Sequence, residues 1–449
     1  MAAETYDLIV RGGQAWTTAG LVPVDIGVRG GKFAALGDLP RAAAGTVVDA
    51  TGLTVLPGVI DSQVHFREPG LEHKEDLESG TRGAVLGGVT AVFEMPNTKP
   101  STLNADDLAA KLNLARGRAW CDHAFYMGGS AENVEHLPVL ERLPGCCGVK
   151  VFMGASTGTL LVPDDATLDR ILAHGARRMA VHCEDEERMN ARKALAQAPG
   201  ATPHLHPVVR DVESALLATQ RLIRLARKHG RRVHVLHVTT EEEMLFLRDH
   251  KDVATVEATP QHLTLAAPDC YDRLGTFAQM NPPIRETRHR EGLWRAVRDG
   301  TVDVIGSDHA PHTREEKSKP YPESPSGMPG VQTLLPLLLD HMNAGRLSLA
   351  RLVDLTSAGA ARIFGLAAKG RIALGYDADL TLVDLAARRE ITESWMATKS
   401  GWTPFAGTTV TGWPVATIIR GNVVMRDDAL LGTPIGTPIR FVDTLSKEG

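Results

Sequence analysis

The chain has 449 residues, of which 43% are hydrophobic and 23% charged, with a formal net charge of -5. This is ordinary globular composition, and the length allows a large core. The negative charge disfavours a nucleic-acid or anionic-membrane surface, and no apolar run approaches the roughly 18 residues of a membrane span. The N-terminus lacks a secretory signal pattern. Five scattered cysteines without a CxxC pair fit reduced thiols in a cytoplasmic protein.

Both ends of the chain are predicted to be β-structure. Before residue 56, short apolar runs separated by glycines predict strands at 8–10, 24–28, 32–36 and 46–49. After Gly365, strands are predicted at 371–374, 379–384, 415–420 and 423–425. Each piece is too small to be stable alone, so we expect the two to pair in a composite β-sandwich.

Between the two ends, strand candidates alternate with amphipathic helices. The eight predicted strands are 55–66, 89–96, 120–128, 147–154, 178–184, 232–239, 253–261 and 302–309. The predicted helices include 105–116, 165–177, 212–228, 291–298, 331–343 and 348–364. Eightfold alternation predicts an α/β fold, a (β/α)8 TIM-like barrel. The predicted domains are residues 1–55 and 367–449 as parts of the sandwich, and 56–366 as the barrel.

In such a barrel the active site lies at the C-terminal ends of the strands. Asp61, Gln63 and His65 share one face of the first strand, because residues two apart point the same way, and Arg67 follows. Four further strands carry polar residues toward the same end: Lys150, His182, His237 and Asp308. The loop 311–330, directly after the eighth strand, is a candidate lid.

These residue types favour a divalent metal site, with zinc as the expected ion. A buried lysine is readily neutralised, and as a carbamate Lys150 would bridge two ions. Asp308 is placed to move a proton to a leaving nitrogen. Each residue also has a purely structural interpretation: His65 as a core histidine, Lys150 paired with Glu94 or Asp308, and Asp308 as a turn cap. His234 is predicted to face the helix-covered side of its strand and receives no role.

Several segments together resemble dihydroorotase, in the cyclic-amide branch of the amidohydrolase superfamily. They are 61–70, 94–98, 148–150, His182, His237, 280–285, 308–312, 375–380 and 404–407. The resemblance implies two zinc ions per subunit, with carbamylated Lys150 bridging them and Asp308 as general acid and base. The implied metal ligands are His65, Lys150, His182, His237 and Asp308. The implied substrate-binding residues are Arg67, Asn97 and His312 for a carboxylate, and Asn281 near the ring.

The activity that the resemblance implies is interconversion of N-carbamoyl-L-aspartate and (S)-dihydroorotate in de novo pyrimidine (UMP) biosynthesis. Metal-bound hydroxide would attack the ring amide. Arg67 favours this substrate over those of hydantoinase, dihydropyrimidinase and allantoinase, whose rings lack the carboxylate. A salt bridge from Arg67 to Glu68 or Glu72 is the alternative for that side chain. We also expect a small-molecule substrate, a homodimer, and neither a nucleic-acid nor a membrane partner.

Gln63 departs from the family pattern, which has histidine at this position. An amide oxygen is a weak zinc ligand, so Gln63 is either a metal ligand or a neighbour of metal-bound water. One outcome is an active enzyme with one strong and one weak metal. The other is a degenerate, non-catalytic partner of aspartate transcarbamoylase.

Overall fold

The computed structural model describes residues 5–39, 42–156 and 160–445. Both ends of the chain contribute strands around a central parallel sheet. The strands before the central sheet are β1 (Thr5–Arg11), β2 (Gln14–Thr17), β3 (Gly20–Pro23), β4 (Asp25–Arg29), β5 (Lys32–Gly37), β6 (Ala43–Asp49) and β7 (Thr54–Pro57). β1, β4, β5 and β6 form one sheet, and β2, β3 and β7 belong to another.

The central sheet has eight parallel strands, paired in chain order. They are β8 (Val59–Val64), β9 (Val89–Glu94), β10 (Asp122–Gly128), β11 (Cys146–Phe152), β12 (Met179–His182), β13 (Val233–Val235), β14 (Ala254–Ala258) and β15 (Val304–Ile305). The sheet closes where the backbone N–H of His65 donates to the carbonyl of His309 at 2.7 Å. The predicted (β/α)8 barrel is confirmed, with shorter strands than predicted.

The helices surround the barrel and follow the strands. They are α1 (Leu77–Leu86), α2 (Ala105–Ala115), α3 (Leu137–Leu140), α4 (Asp165–Ala173), α5 (Glu186–Arg192), α6 (His206–Val209), α7 (Val212–His229), α8 (Glu241–Arg248), α9 (Pro260–Thr264), α10 (Asp269–Leu274), α11 (Thr287–Asp299), α12 (Arg314–Lys317), α13 (Leu334–Asn343), α14 (Leu349–Val353) and α15 (Gly359–Phe364). Within the described ranges, no helix has the length and apolarity to cross a membrane.

Helix α7 shows how local sequence sets these boundaries. The side chain of Asp211 caps its N-terminus by accepting from the backbone N–H of Ser214. Gly230 ends it with φ 61°, a left-handed conformation that glycine adopts without a steric cost. Leu222 and Ile223 are among the residues that it buries against the barrel.

The remaining strands complete the composite sandwich. They are β16 (Leu380–Glu390), β17 (Thr409–Ile419), β18 (Asn422–Arg426) and β19 (Ala429–Leu430). β7 pairs antiparallel with β16, so strands from both chain ends share one seven-stranded sheet, as predicted. The domain limits 1–55, 56–366 and 367–449 stay a prediction, and β7 crosses the first of them.

Three sequence-based predictions were wrong in detail. Residues 55–66 form two strands, because the chain breaks at Gly58 between the sandwich strand β7 and the barrel strand β8. Residues 371–374 form a turn with one isolated bridge, from Ile372 to Thr17, instead of a strand. His234 lies inside the barrel, where its ring nitrogens contact Thr255 and Glu257. The prediction failed because β13 ends at Val235 and the backbone at His237 has φ 36°, so strand alternation does not relate the two histidines.

A buried ion cluster joins the barrel to the sandwich. Nζ of Lys369 lies 2.7 Å from Oδ2 of Asp122, which begins β10, and 2.5 Å from Oδ2 of Asp379, next to β16. Arg420 also pairs with Asp122. Removing one partner of a buried pair leaves uncompensated charge, which costs more than the pair itself contributes.

We therefore expect Lys369→Met to lower the free energy of unfolding by about 3 kcal/mol. The matched control is Lys228→Met, which removes an exposed pair with Asp169, with an expected loss of under about 1 kcal/mol. Urea denaturation followed by circular dichroism measures both. Equal losses in the two variants would contradict a structural role for the buried cluster.

Candidate active site

The structure brings most of the predicted site residues to the C-terminal edge of the barrel. A narrow cavity at this edge is lined by seven of them: Gln63, His65, Arg67, His182, His237, Asn281 and Asp308. Lys150, Asn97 and His312 lie next to these residues without lining the cavity. Ser326 and Gly327, from the predicted lid, also line the cavity, so the loop covers the site. Movement of that loop stays a prediction.

The chain bends sharply at three of these positions. Backbone φ is 66° at Arg67, 36° at His237 and 44° at Asp308. Residues with a Cβ rarely adopt positive φ, because the side chain then crowds the backbone. Each of the three lies two or three residues after the end of a barrel strand. Such strain is concentrated at functional sites, where the surrounding structure holds it in place.

Asp308 and His65 form the first group of polar contacts. Oδ1 of Asp308 accepts a hydrogen bond from Nε2 of Gln63 at 2.9 Å and lies 3.3 Å from Nε2 of His65. Nδ1 of His65 donates to Oδ1 of Asn97 at 2.9 Å, which leaves the lone pair on Nε2. Burial lowers the pKa of His65 to about 4, so the imidazole is neutral at pH 7.

His182 and His237 form the second group. Nδ1 of His182 faces Nε2 of His237 at 3.0 Å, and the two rings are nearly perpendicular. Nε2 of His182 donates to Oε2 of Glu184 at 2.8 Å, and Arg210 pairs with the same carboxylate. Burial would raise the pKa of Glu184, but Arg210 and His182 lower it to about 2. The carboxylate is therefore charged and fixes the orientation of the His182 ring.

Lys150 lies in β11 with a buried amine. Its Nζ has no hydrogen-bond partner among the residues that the structure describes, and it lies 4.3 Å from the centre of the Phe152 ring. Burial lowers its pKa to about 7. Glu94 pairs instead with Lys111, so the alternative pairing of Lys150 with Glu94 is wrong. A buried, partly neutral amine has the chemistry needed for a carbamate.

Arg67 presents a buried guanidinium to the cavity. It is 2% exposed, its Nε donates to the carbonyl of Pro311 at 3.1 Å, and it forms no ion pair within the described ranges. Burial lowers its pKa to about 10, so it stays charged at pH 7. Glu68 pairs with Arg118 at 2.7 Å, so the alternative salt bridge to Glu68 is wrong.

Glu72 does not pair with Arg67 either, because its carboxylate accepts from the backbone N–H of Gly70 at 2.7 Å. The neighbour of Arg67 is His312, whose Nε2 lies 3.4 Å from Nη2 of Arg67 and 3.0 Å from the carbonyl of Ser326. The arginine therefore keeps donors available for a ligand.

Two contact residues were missed by sequence reasoning. Glu184 lies two positions after His182 within the predicted strand 178–184, and that spacing could have predicted the contact. The second residue is His206. It is buried, with Nε2 3.1 Å from Oδ1 of Asn281, and no local sequence signal predicts this contact across 75 positions.

The side chains of the site are of types that bind divalent metals, but those that could bind one lie in two separate pairs. In the described part of the chain, no group of three or more His, Cys, Asp or Glu side chains is close enough together to hold an ion. The two nitrogens of the His182 group face each other, and His65 faces Asp308. Taken together, the neutral imidazoles, the Asp308 carboxylate and the buried Lys150 amine are groups that fit zinc and related ions.

The fold and the comparisons with known proteins together define a (β/α)8-barrel hydrolase of cyclic amides. The chain belongs to the amidohydrolase family, whose model matches residues 54–424. A dihydroorotase from Halobacterium salinarum is 40% identical over 381 residues, 84% of this chain and 87% of the relative. The relation to dihydroorotase indicated by the sequence motifs is therefore confirmed.

Other relatives carry different names. An allantoinase from Escherichia coli is 33% identical over 454 residues, covering 98% of this chain and 99% of the relative. The solved structure of an L-hydantoinase (dihydropyrimidinase) from Arthrobacter aurescens has a TM-score of 0.92 at 30% identity, covering 97% of this chain and 99% of that chain. Overall similarity therefore does not decide which of these ring substrates is bound, and the decision rests on the residues of the site.

We expect Glu184→Gln to lower the free energy of unfolding by about 3 kcal/mol, because Arg210 loses its carboxylate. The low-field Nε2–H signal of His182 should also shift in histidine-selective NMR of the metal-free protein. Glu187→Gln, a neighbouring exposed change, is the control and should alter neither quantity. An unchanged His182 signal in Glu184→Gln would contradict the orienting contact.

Proposed function

We propose that this protein is a metal-dependent dihydroorotase, which interconverts N-carbamoyl-L-aspartate and (S)-dihydroorotate. The observation that carries the proposal is the buried guanidinium of Arg67, which lines the cavity without an acidic partner within 4 Å among the described residues. A permanently charged fork in a desolvated position favours a carboxylate ligand. The ring carboxylate of dihydroorotate supplies that ligand, and the dihydroorotase relatives support the assignment.

The residues that would hold the metal are His65, Lys150, His182, His237 and Asp308, and a carbamate on Lys150 would supply oxygen ligands. Zinc is the proposed ion. A divalent ion held by such donors lowers the pKa of water and polarises a carbonyl. The neutral imidazoles suit this role, because their nitrogen lone pairs face the shared space.

Asp308 is the proposed acid and base. Its Oδ1 contacts Gln63 and His65, which leaves Oδ2 to take a proton from water. In the hydrolytic direction the ring C–N bond breaks, the water oxygen joins the carbonyl carbon, and Asp308 delivers the proton to the leaving nitrogen. The amide N–H of Gln63 holds the carboxylate in place during both transfers.

The proposed substrate site places the ring carboxylate on Arg67, with His312 and Asn97 nearby, and the ring next to Asn281. Nε of Arg67 is held by Pro311, so the terminal nitrogens remain for a bidentate contact. His206 contacts the Asn281 amide and limits its rotation.

Two other functions are alternatives to this proposal. The likeness to L-hydantoinase favours an uncharged ring substrate, but such a ring gives Arg67 nothing to bind. The replacement of histidine by Gln63 favours a non-catalytic partner of aspartate transcarbamoylase. Retention of Lys150, His182, His237 and Asp308 in one arrangement supports catalysis instead, since a structural partner has no use for them.

Protein supplied with zinc and bicarbonate is expected to hydrolyse dihydroorotate. Arg67→Ala should reduce kcat/KM about 100-fold, because a charged hydrogen-bonded contact is lost. Turnover of dihydrouracil, which has no carboxylate, should stay within about twofold. Arg116→Ala, on the exposed surface after α2, is the control. Absent dihydroorotate turnover in metal-loaded wild-type protein would overturn the proposal.

Metal content tests the role of Gln63. After dialysis against a weak chelator, we expect elemental analysis to find about one zinc per chain in wild-type protein and about two in Gln63→His. The reason is that an imidazole nitrogen is a stronger zinc ligand than an amide oxygen. Equal zinc content in the two proteins would show that residue 63 does not control the second ion.

A further inference from the structure

A second cavity lies at the opposite edge of the barrel, where the strands begin. It has a volume of about 360 Å³. Five of its lining residues are arginines: Arg142, Arg177, Arg178, Arg232 and Arg362. The only acidic residue that lines it, within the described ranges, is Asp443. The fold gathers these arginines because three of them stand directly before β12 and β13, and Arg362 lies in α15.

Two of the arginines are paired with acids. Arg177 binds Asp443 through Nε and Nη2, at 2.8 and 2.7 Å. Arg362 contacts Asp354 at 3.1 Å. The first pair ties the start of β12 to the chain around residue 443. The second lies within one helical stretch, because Asp354 is five residues before α15.

The other three arginines have no ion pair within 4 Å in the part of the chain that the structure describes. Arg178 donates to the carbonyl oxygens of Ile363 and Val233, at 3.3 and 3.1 Å. Arg142 and Arg232 are exposed, and no side-chain hydrogen bond is found for either among the described residues. Burial and the charge of Arg232 lower the pKa of Arg178 to about 10. Three guanidinium groups thus share one concave site without a direct ion pair to any described residue.

Such an arrangement is unfavourable for folding by itself. Like charges that share a concave surface repel each other, and water screens this repulsion least at the partly buried Arg178. The protein as a whole has a net charge of -5. The lining of this cavity is therefore opposite in sign to the chain as a whole. A bound anion relieves the repulsion, and guanidinium forks match phosphate oxygens in geometry.

We propose that this cavity binds a small phosphorylated anion, either inorganic pyrophosphate or the polyphosphate of a nucleotide. The three unpaired charges match the charge of a di- or triphosphate. The volume lies near the lower end of the usual range for ligand sites, roughly 300 to 1,000 Å³. Phe364 and the exposed side chain of Val442 provide an apolar wall beside the arginines.

Calorimetric titration of the full-length protein with pyrophosphate, ATP and UTP, at constant ionic strength, tests the proposal. We expect saturable binding of one anion per chain. The double variant Arg142→Gln/Arg232→Gln should weaken it at least about tenfold, with unchanged dihydroorotate turnover. Arg116→Gln should bind as wild type does. Thermal melting checks that each variant is folded, and the single variants replace the double one if it is not.

The outcomes distinguish pyrophosphate from a nucleotide as the ligand, and binding at the arginine cavity from binding at the active site. Equal affinity for the three anions means that the polyphosphate alone is recognised, whereas tighter binding of a nucleotide adds contacts to its base or ribose. Arg67→Ala is expected to leave anion binding unchanged. This control is needed because the active site also carries an unpaired arginine, which could itself bind the anion. Absence of saturable binding, equal binding by the double variant, or loss of binding in Arg67→Ala would each overturn the proposal.

Discussion

The active site depends on the seam at which the barrel closes. Oδ1 of the buried Asp61 accepts from the backbone N–H groups of both Gln63 and Ser307, at 3.1 and 2.9 Å. His65 extends the seam through its bond to the His309 carbonyl. These contacts fasten β8 to the end of β15, and they bring Asp308 opposite Gln63 and His65. The contacts that close the barrel therefore also set the geometry of the candidate active site.

The seam also explains what Gln63 does in this chain. Its amide nitrogen faces the Asp308 carboxylate, and the reverse orientation would place two oxygens against each other. Oε1 consequently points away from Asp308 and has no hydrogen-bond partner among the described residues. The structure thus shows one role of Gln63, a hydrogen bond to Asp308, and a metal contact through Oε1 stays a prediction.

The two edges of the barrel have opposite electrostatic character. At the C-terminal edge, burial keeps the imidazoles neutral, and the charged groups Glu184 and Arg67 have defined positions. At the N-terminal edge, arginines crowd one cavity with a single lining carboxylate among the described residues. Strand β12 is short enough to separate Arg178 from His182 by only four positions. The Lys369 cluster stabilises the frame by tying β10 to the sandwich.

The sequence by itself determined the fold class and most of the candidate site. Strand and helix periods come from backbone geometry, so they predict eight strands and place His65, Lys150, His182, His237 and Asp308 at one edge. Only the tertiary structure decided which side chains meet. The pairing of Glu94 with Lys111, the inward position of His234 and the arginine cavity all depend on contacts between distant segments. Local periodicity carries no information about such contacts, because closure of the barrel and packing of the helices select them.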